Sequence, residues 1–314
     1  VWVVRVLVAP DSFTGTMSAA QAAEAIAAGW GTEAPDDVLD LAPMSDGGPG
    51  FVTAMAASLN LGLRDCVVSG PLGEPVTAQF AMDVATGTAY VESAQAVGLH
   101  LIPLADRDPR ITTSWGLGEL LVEVVNAGAT HVVVGLGGTS VCDGGAGLLG
   151  ALGAIAMDVN GVDVTSRLRS GGIALAEVTQ VDLTMPIAMM SGVEFVVASD
   201  VDSPLLGPRG AAHGFAAQKG AEPEDVEALA SALSSWSAAL GTVNVLGTMK
   251  QIGVLLGAGA GGGIGAALFA VGATRQPGID YVLSASEIAR RAQEADLVLT
   301  GEGSFDWQSL RGKV

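Results

Sequence analysis

Five times along this 314-residue chain a short apolar run, strand-like in composition, ends in a loop that gathers carboxylates and glycines. "VRVLVAP" runs into Asp11 and Gly15, residues 38–44 into Asp46, Gly47 and Gly48, and "HVVVGLGG" into Asp143, Gly144 and Gly145. "EFVVASDV" runs into Asp200 and Asp202, and "ADLVLTGEG" into Glu302 and Asp306. Runs that are apolar throughout, rather than alternating, suit strands covered on both faces, as in a parallel sheet flanked by helices. In open α/β sheets the ligand crevice lies beyond the carboxyl ends of the strands. A carboxylate there can hold Mg²⁺ or take a proton from a hydroxyl, and glycine N–H groups can receive phosphate. Asp and Gly are also ordinary turn and cap residues, so any one of these loops reads at least as well as a plain turn. The repetition is what points to a site.

The segments between the runs complete the fold reading. Ser18 and Gln21 make a capping box, and Ala22, Ile26 and Trp30 then share one helical face. Residues 51–59 read as a helix, as do "TTSWGLGELLVEVVNAGA", with Leu117, Leu120, Leu121 and Val124 on one face, and residues 222–240. Residues 76–83 alternate apolar and polar, turn at Thr86-Gly87 and continue as "TAYVES", which predicts a half-exposed antiparallel hairpin. The expected architecture is α/β: a Rossmann-like, doubly wound parallel sheet domain built from both chain ends, residues 1–65 and 282–314, with an inserted α/β domain of mixed sheet at 66–281.

Composition removes several classes of function. With 33 acids against 14 bases the net charge is −19, and only three bases are lysines, so nucleic acid and anionic membrane are poor partners. Mean hydropathy is +0.48. Even so, no apolar run reaches the ~18 residues of a membrane span, and the first ten residues lack a secretory signal pattern. Two cysteines make no disulfide framework, so the expected compartment is a reducing cytoplasm. The first residue is Val, not Met, which leads us to expect a longer gene product. The 44 glycines cluster at 47–50, 135–147, 257–265 and 301–303, beside apolar runs, as tight turns between packed elements would require.

Other motifs are weaker. Gly257, Gly259 and Gly262, with Asp280 further on, match a dinucleotide fingerprint, but the preceding "IGVLL" is short for a strand. No P-loop, zincin, nucleophile-elbow or zinc-ligand spacing occurs. His131 reads as structural and His213 as a somewhat better polar candidate. Cys142 has no paired base and reads as inert.

Eight ordered stretches resemble the motifs of the bacterial type I glycerate kinases: "VLVAPDSFTGTMSAAQAAEAIAAGW", "PMSDGGPGF", "GPLGEPV", "RDPRITTSWGLGELL", "VGLGGTSVCDGGAGLLGALGA", "ASDVDSPLLGPRGAAHGFAAQKGA", "GAGAGGGIGAALFA" and "ADLVLTGEGSFDWQSLRGKV". The resemblance implies an ATP- and Mg²⁺-dependent kinase of D-glycerate giving 2-phosphoglycerate, with a cleft between two α/β domains. It also implies that a helix following the last strand is missing from the chain as given. The chain departs from the family pattern at Thr14 (Lys), Pro49 (Glu), Cys142 (Asn) and Ser304 (Arg). Those departures suit an altered relative that binds or phosphorylates another small hydroxy acid or polyol. Two further readings are a non-catalytic small-molecule binder and, on the fingerprint alone, a dinucleotide oxidoreductase.

On the kinase reading, Asp11, Asp46, Asp143, Asp306 and Lys219 are the candidate catalytic residues. Gly47, Gly48, Gly137, Gly138, Gly144, Gly145, Gly301, Gly303 and Gln308 are candidates for binding the nucleotide, and Asp200 and Glu302 for holding the metal. Arg110 is a further retained cation. The turn at 301–306 is expected to face the cleft near the Asp46 and Asp143 loops.

Overall fold

The computed structural model describes residues 2–13, 16–245 and 248–303. In chain order the strands are β1 Arg5–Val8, β2 Val38–Leu41, β3 Leu63–Ser69, β4 Pro75–Asp83, β5 Thr88–Glu92, β6 His131–Gly135, β7 Ile155–Met157, β8 Gln180–Asp182, β9 Glu194–Ala198, β10 Thr242–Val245, β11 Thr248–Gln251, β12 Thr274–Gln276 and β13 Leu297–Leu299. The α-helices are α1 Ala19–Glu33, α2 Phe51–Leu59, α3 Ser93–Val97, α4 Trp115–Asn126, α5 Ala146–Ala151, α6 Thr184–Met190, α7 Ala211–Phe215, α8 Pro223–Leu240, α9 Ala260–Ala270, α10 Gly278–Ala285 and α11 Ile288–Glu294.

Two sheets carry the architecture. The smaller has the order β13-β1-β2 and is parallel throughout, with Val6 opposite Leu297 and Leu39. Both ends of the chain therefore meet in one sheet. The larger has the order β12-β9-β6-β5-β4-β3: β12, β9, β6 and β5 run parallel, and β4 and β3 return antiparallel. The fold is α/β, with one parallel sheet and one mixed sheet of mostly parallel strands. The domain limits expected at 65 and 282 fall inside β3 and α10.

The unbroken apolar runs have the reason anticipated for them. Along β6, Val132 and Val134 enter the core on one face of the large sheet, and Val133 enters the core between the two sheets. Along β9, Phe195 and Val197 face the first core, while Val196 and Ala198 face the second. β1 does the same in the small sheet: Leu7 packs toward the intersheet core, Val6 and Val8 toward the Ala23 face of α1. A strand covered on both faces has no polar side to alternate with. The intersheet core is filled by Phe51, Val52 and Met55 of α2 and by Ile279 and Val282 of α10. At α1 the capping box is present, with Gln21 N–H donating to Ser18 Oγ at 3.2 Å and Ser18 N–H to Gln21 Oε1 at 2.9 Å.

Two expectations of exposure are corrected. β5 is not half-exposed: it sits between β4 and β6 in the middle of the large sheet, and Ala89, Tyr90, Val91 and Glu92 are all buried. Among the described residues β13 is the outermost strand of the small sheet, and Leu297 is 38% and Val298 45% exposed despite their apolar sequence. Among the described residues no helix is long and apolar enough to cross a membrane.

Candidate active site

The carboxyl ends of both sheets converge on the loop after β2. On the small-sheet side, Met44 N–H donates to Pro10 O at 2.9 Å and Asp11 N–H to Gly301 O at 2.8 Å, which knits the three strand ends together. On the large-sheet side the loop lies against the ends of three strands. A Cβ on Gly47, whose φ is +88°, would stand 2.5 Å from Ala198 O at the end of β9. A Cβ on Gly135 would stand 2.6 Å from Gly47 O, and one on Gly137 2.6 Å from the Cα of Gly48. Pro49 packs on Gly138, and the Asp46 carbonyl on Gly278 at the start of α10. Backbone meets backbone at Gly47, Gly135, Gly137 and Gly278, and the Pro49 ring fills the space at Gly138, so no larger residue would fit at these points.

Within this junction Asp46 and Asp200 form an acidic pair. Asp46 Oδ1 accepts from Gly48 N–H at 2.9 Å, and Ser45 Oγ from Gly47 N–H at 3.2 Å. Asp200 Oδ1 accepts from Gly278 N–H at 3.0 Å. Burial pushes the Asp200 carboxyl above its ordinary range, and the neighbouring Asp46 charge adds to this; the amides of Ile279 and Gly278 and the Arg275 cation pull it back. Two acids that repel, eased by a helix N-terminus, form a place that a cation would stabilise.

A second cluster lies deeper, where β6 runs on into α5. Asp143 is 0% exposed. Its Oδ2 accepts from Ser114 N–H at 2.7 Å, Ser114 Oγ at 2.8 Å and Gly147 N–H at 3.2 Å, and its Oδ1 from Gly145 N–H at 3.1 Å. Burial pushes this carboxyl up and the four donors hold it down. Lys219 is buried beside it: Nζ donates to Val141 O at 2.5 Å and to Thr139 Oγ1 at 3.3 Å. Burial pulls the lysine down, while Cys142 and Asp143 raise it. Above the ammonium stands the glycine turn that opens α9, where Gly261, Gly262 and Gly263 have φ of 62°, 71° and 98°. A Cβ on Gly262 would stand 3.0 Å from Lys219 Nζ and collide with Val141 O, so the turn can lie over the lysine only with glycine there.

The structure thus gathers Asp46, Gly47, Gly48, Gly137, Gly138 and Asp200 at the junction, with Thr139 leading from it to Lys219. Asp143, Gly144 and Gly145 lie in the deeper cluster with their N–H groups engaged: Gly144 donates to Gly262 O at 3.0 Å and Gly145 to Asp143. Asp11, Gly301, Glu302 and Gly303 lie at the carboxyl end of the small sheet, after β1 and β13. Among the described residues no three acids, histidines or cysteines gather into a metal-holding group, so Glu302 and Asp200 share no such cluster. Asp306 and Gln308, with Thr14, Gly15 and Ser304, lie outside the described residues. Arg110 is held by Asp108 at 2.8 Å and Asp225 at 3.0 Å, both partly exposed pairs. The Cys142 thiol is fully buried and pushed up to about 11, which makes it inert. The dinucleotide fingerprint lacks its strand, because Ile252–Val254 form a 3₁₀ turn. Glu92, Ser114 and Thr139 carry no sequence signal: Glu92 ends β5, Ser114 precedes α4 and Thr139 lies in the loop after β6, and nothing local distinguishes them from ordinary polar residues.

The profile of the glycerate kinase family matches residues 6–314. The chain is 40% identical to the glycerate kinase of Bacillus subtilis (strain 168) over 99% of its own length and 79% of that protein's. It is 38% identical to the glycerate 2-kinase of Escherichia coli (strain K12), over 99% of its own length and 80% of that protein's. A crystal structure from Salmonella typhimurium LT2 that goes under the name glycerate kinase 2 superposes with a TM-score of 0.86 at 38% identity, covering 100% of this chain and 82% of that one. The chain belongs to the glycerate kinase family.

Proposed function

We propose that this protein transfers the γ-phosphoryl group of ATP to D-glycerate, giving 2-phosphoglycerate, at the junction where the Asp46 loop meets Asp200 and the end of β6. The observation that carries the reading is the acidic pair Asp46 and Asp200, set among glycine backbones at the converging strand ends of a glycerate kinase family fold. Phosphoryl transfer needs little covalent help from a protein; it needs positioning and charge neutralisation. Asp46 is the acceptor for the substrate hydroxyl proton, and Asp200 the carboxylate toward the metal. The donor set fits Mg²⁺ in its usual manner, with one or two carboxylates completed by phosphate and water rather than an all-protein cage. Mg²⁺ bound with the nucleotide supplies charge neutralisation at the β- and γ-phosphates. Lys219, held by Thr139 and Val141, is the cation assigned to the transferred group on this reading. Asp143 holds the starts of α4 and α5, and so sets where Lys219 and Thr139 stand. Asp11, Gly301, Glu302 and Gly303 form the small-sheet wall of the same site.

The two sheets correspond to two domains, the small one built from both chain ends, meeting at this junction. Both cysteines are free, in keeping with a reducing cytoplasm as the compartment. The test is nucleotide turnover over a panel of hydroxy acids and polyols, with and without Mg²⁺, the product being read by ³¹P NMR. The reading expects Mg²⁺-dependent ADP release with D-glycerate and a phosphate on its 2-oxygen. Turnover confined to another hydroxy acid would transfer the reading to that substrate, and none with any acceptor would overturn it.

A further inference from the structure

The first amides of an α-helix need partners from outside it. At α2 the residue that would supply one is Gly50, which has no side chain and a φ of +96°. The partner comes from another sheet. Glu92, at the end of β5, accepts from Gly50 N–H at 3.0 Å and Val52 N–H at 3.3 Å through Oε2. It is 2% exposed and opposite Gly135 in the sheet register. A buried carboxylate normally has a cationic partner, and lacking one is costly. Among the described residues Glu92 meets no counter-charge, and its hydrogen-bond donors are the amides of this one loop. A serine or aspartate could cap α2 locally only with an extended backbone at position 50, which the left-handed φ there excludes. Nor would a local cap connect the small-sheet loop to the large sheet.

We propose that Glu92 is a positioning residue for phosphoryl transfer: anchored in the large sheet, it clamps the amides of residues 50–52 and so fixes Asp46, Gly47 and Gly48 against Asp200 and Gly137. The proposal rests on the kinase reading given above. The clamp is strongest when Glu92 is ionised, because a charged acceptor binds amides more tightly and a helix N-terminus favours an anion. Burial pushes its carboxyl up to about 7, with the amides of Val52, Gly50 and Phe51 opposing. Among the described residues no charged side chain moves it: α2 carries no titratable residue, and Asp46 in the clamped loop, Asp83 on β4 and His131 on β6 leave it unshifted. The grip therefore weakens as pH falls through about 7.

The test compares the full chain with E92A and E92Q, by amide hydrogen exchange and by steady-state kinetics with Mg-ATP and D-glycerate. In E92A, exchange at residues 50–52 should quicken roughly 10-fold, as expected for a lost charge-assisted hydrogen bond. Its kcat should fall on the order of 10²-fold, with KM for glycerate little changed, because the loop is displaced rather than the substrate contacts removed. E92Q keeps an acceptor; it should recover most of the protection and the rate, and lose the acid limb near pH 7. Unchanged exchange in E92A, faster exchange with unchanged kcat, or an acid limb that persists in E92Q would each overturn the clamp. If E92A does not fold, the pH profile of E92Q decides. If the wild-type chain turns over no acceptor at all, the kinase reading fails, and exchange at residues 50–52 decides the clamp by itself.

Discussion

Asp46-Gly47-Gly48 and Asp143-Gly144-Gly145 are the same tripeptide at the ends of two parallel strands, yet the fold uses them differently. Asp46 is partly accessible, bonds the amide of its own loop and lies close enough to Asp200 for the two charges to repel. Asp143 is sealed from solvent and meets four donors from two helix starts. Asp200, raised by burial and by the Asp46 charge, stands where a cation would be stabilising, whereas Asp143 is met by four donors. Each loop is also held from elsewhere in the chain, the first by Glu92 of β5 and the second by Ser114 at the start of α4. On the proposed kinase reading, chemistry belongs to the first loop and bracing to the second.

The largest effect expected from this contrast is on stability. Asp143→Ala leaves the buried donors of Ser114, Gly145 and Gly147 unpaired and should cost about 3–5 kcal/mol in urea unfolding, since each buried orphan costs about 1–3 kcal/mol. A loss under about 1 kcal/mol, as for an ordinary surface change, would break the contrast. Next in size is the pH dependence contributed by Glu92. Its folded pKa of about 7 lies above its ordinary value of 4.5. That raised value makes a contribution fully present below about 4.5 and lost as pH rises through about 7. At 1.36 kcal/mol per unit it amounts to about 3 kcal/mol at most. Glu92→Gln should flatten the fall of stability across that window, and an unaltered slope would remove the group from the account. The smallest effect concerns the brace around Asp143. Ser114→Ala takes one of four donors from Asp143 and the acceptor from Leu148 N–H, which it holds at 2.9 Å. It should cost about 1–2 kcal/mol and leave kcat per folded molecule within a few-fold. A large drop in kcat at full stability would place Ser114 in the chemistry.

Much of the framework is legible in the residues themselves, because it is set locally. The Ser18–Gln21 box, the helix at 51–59 and the two-faced burial of Val132, Val133 and Val134 depend on spacing that one segment carries. The convergence of strand ends is legible as well, since a parallel sheet puts every such loop on one edge. What distinguishes Asp46 from Asp143 is not, because the deciding groups are remote: Ser114 lies 29 residues from Asp143, and Gly50 lies 42 from Glu92. The burial of β5 depends on β6 joining it across α3 and α4, and the exposure of β13 goes with its outermost place among the described strands. Hydrophobicity along one strand reports neither.

The central claim is that turnover resides in the Asp46 loop and stability in the Asp143 loop. The most direct test is the rate of D-glycerate phosphorylation per folded molecule in Asp46→Asn, with its melting curve taken on the same sample. Loss of a positioned proton acceptor should lower kcat on the order of 10²-fold or more, while the melting temperature stays within about 2 °C of the wild type. An Asp46→Asn protein that keeps its rate, or that unfolds instead of slowing, would contradict the account, and would make the first loop another brace like the second.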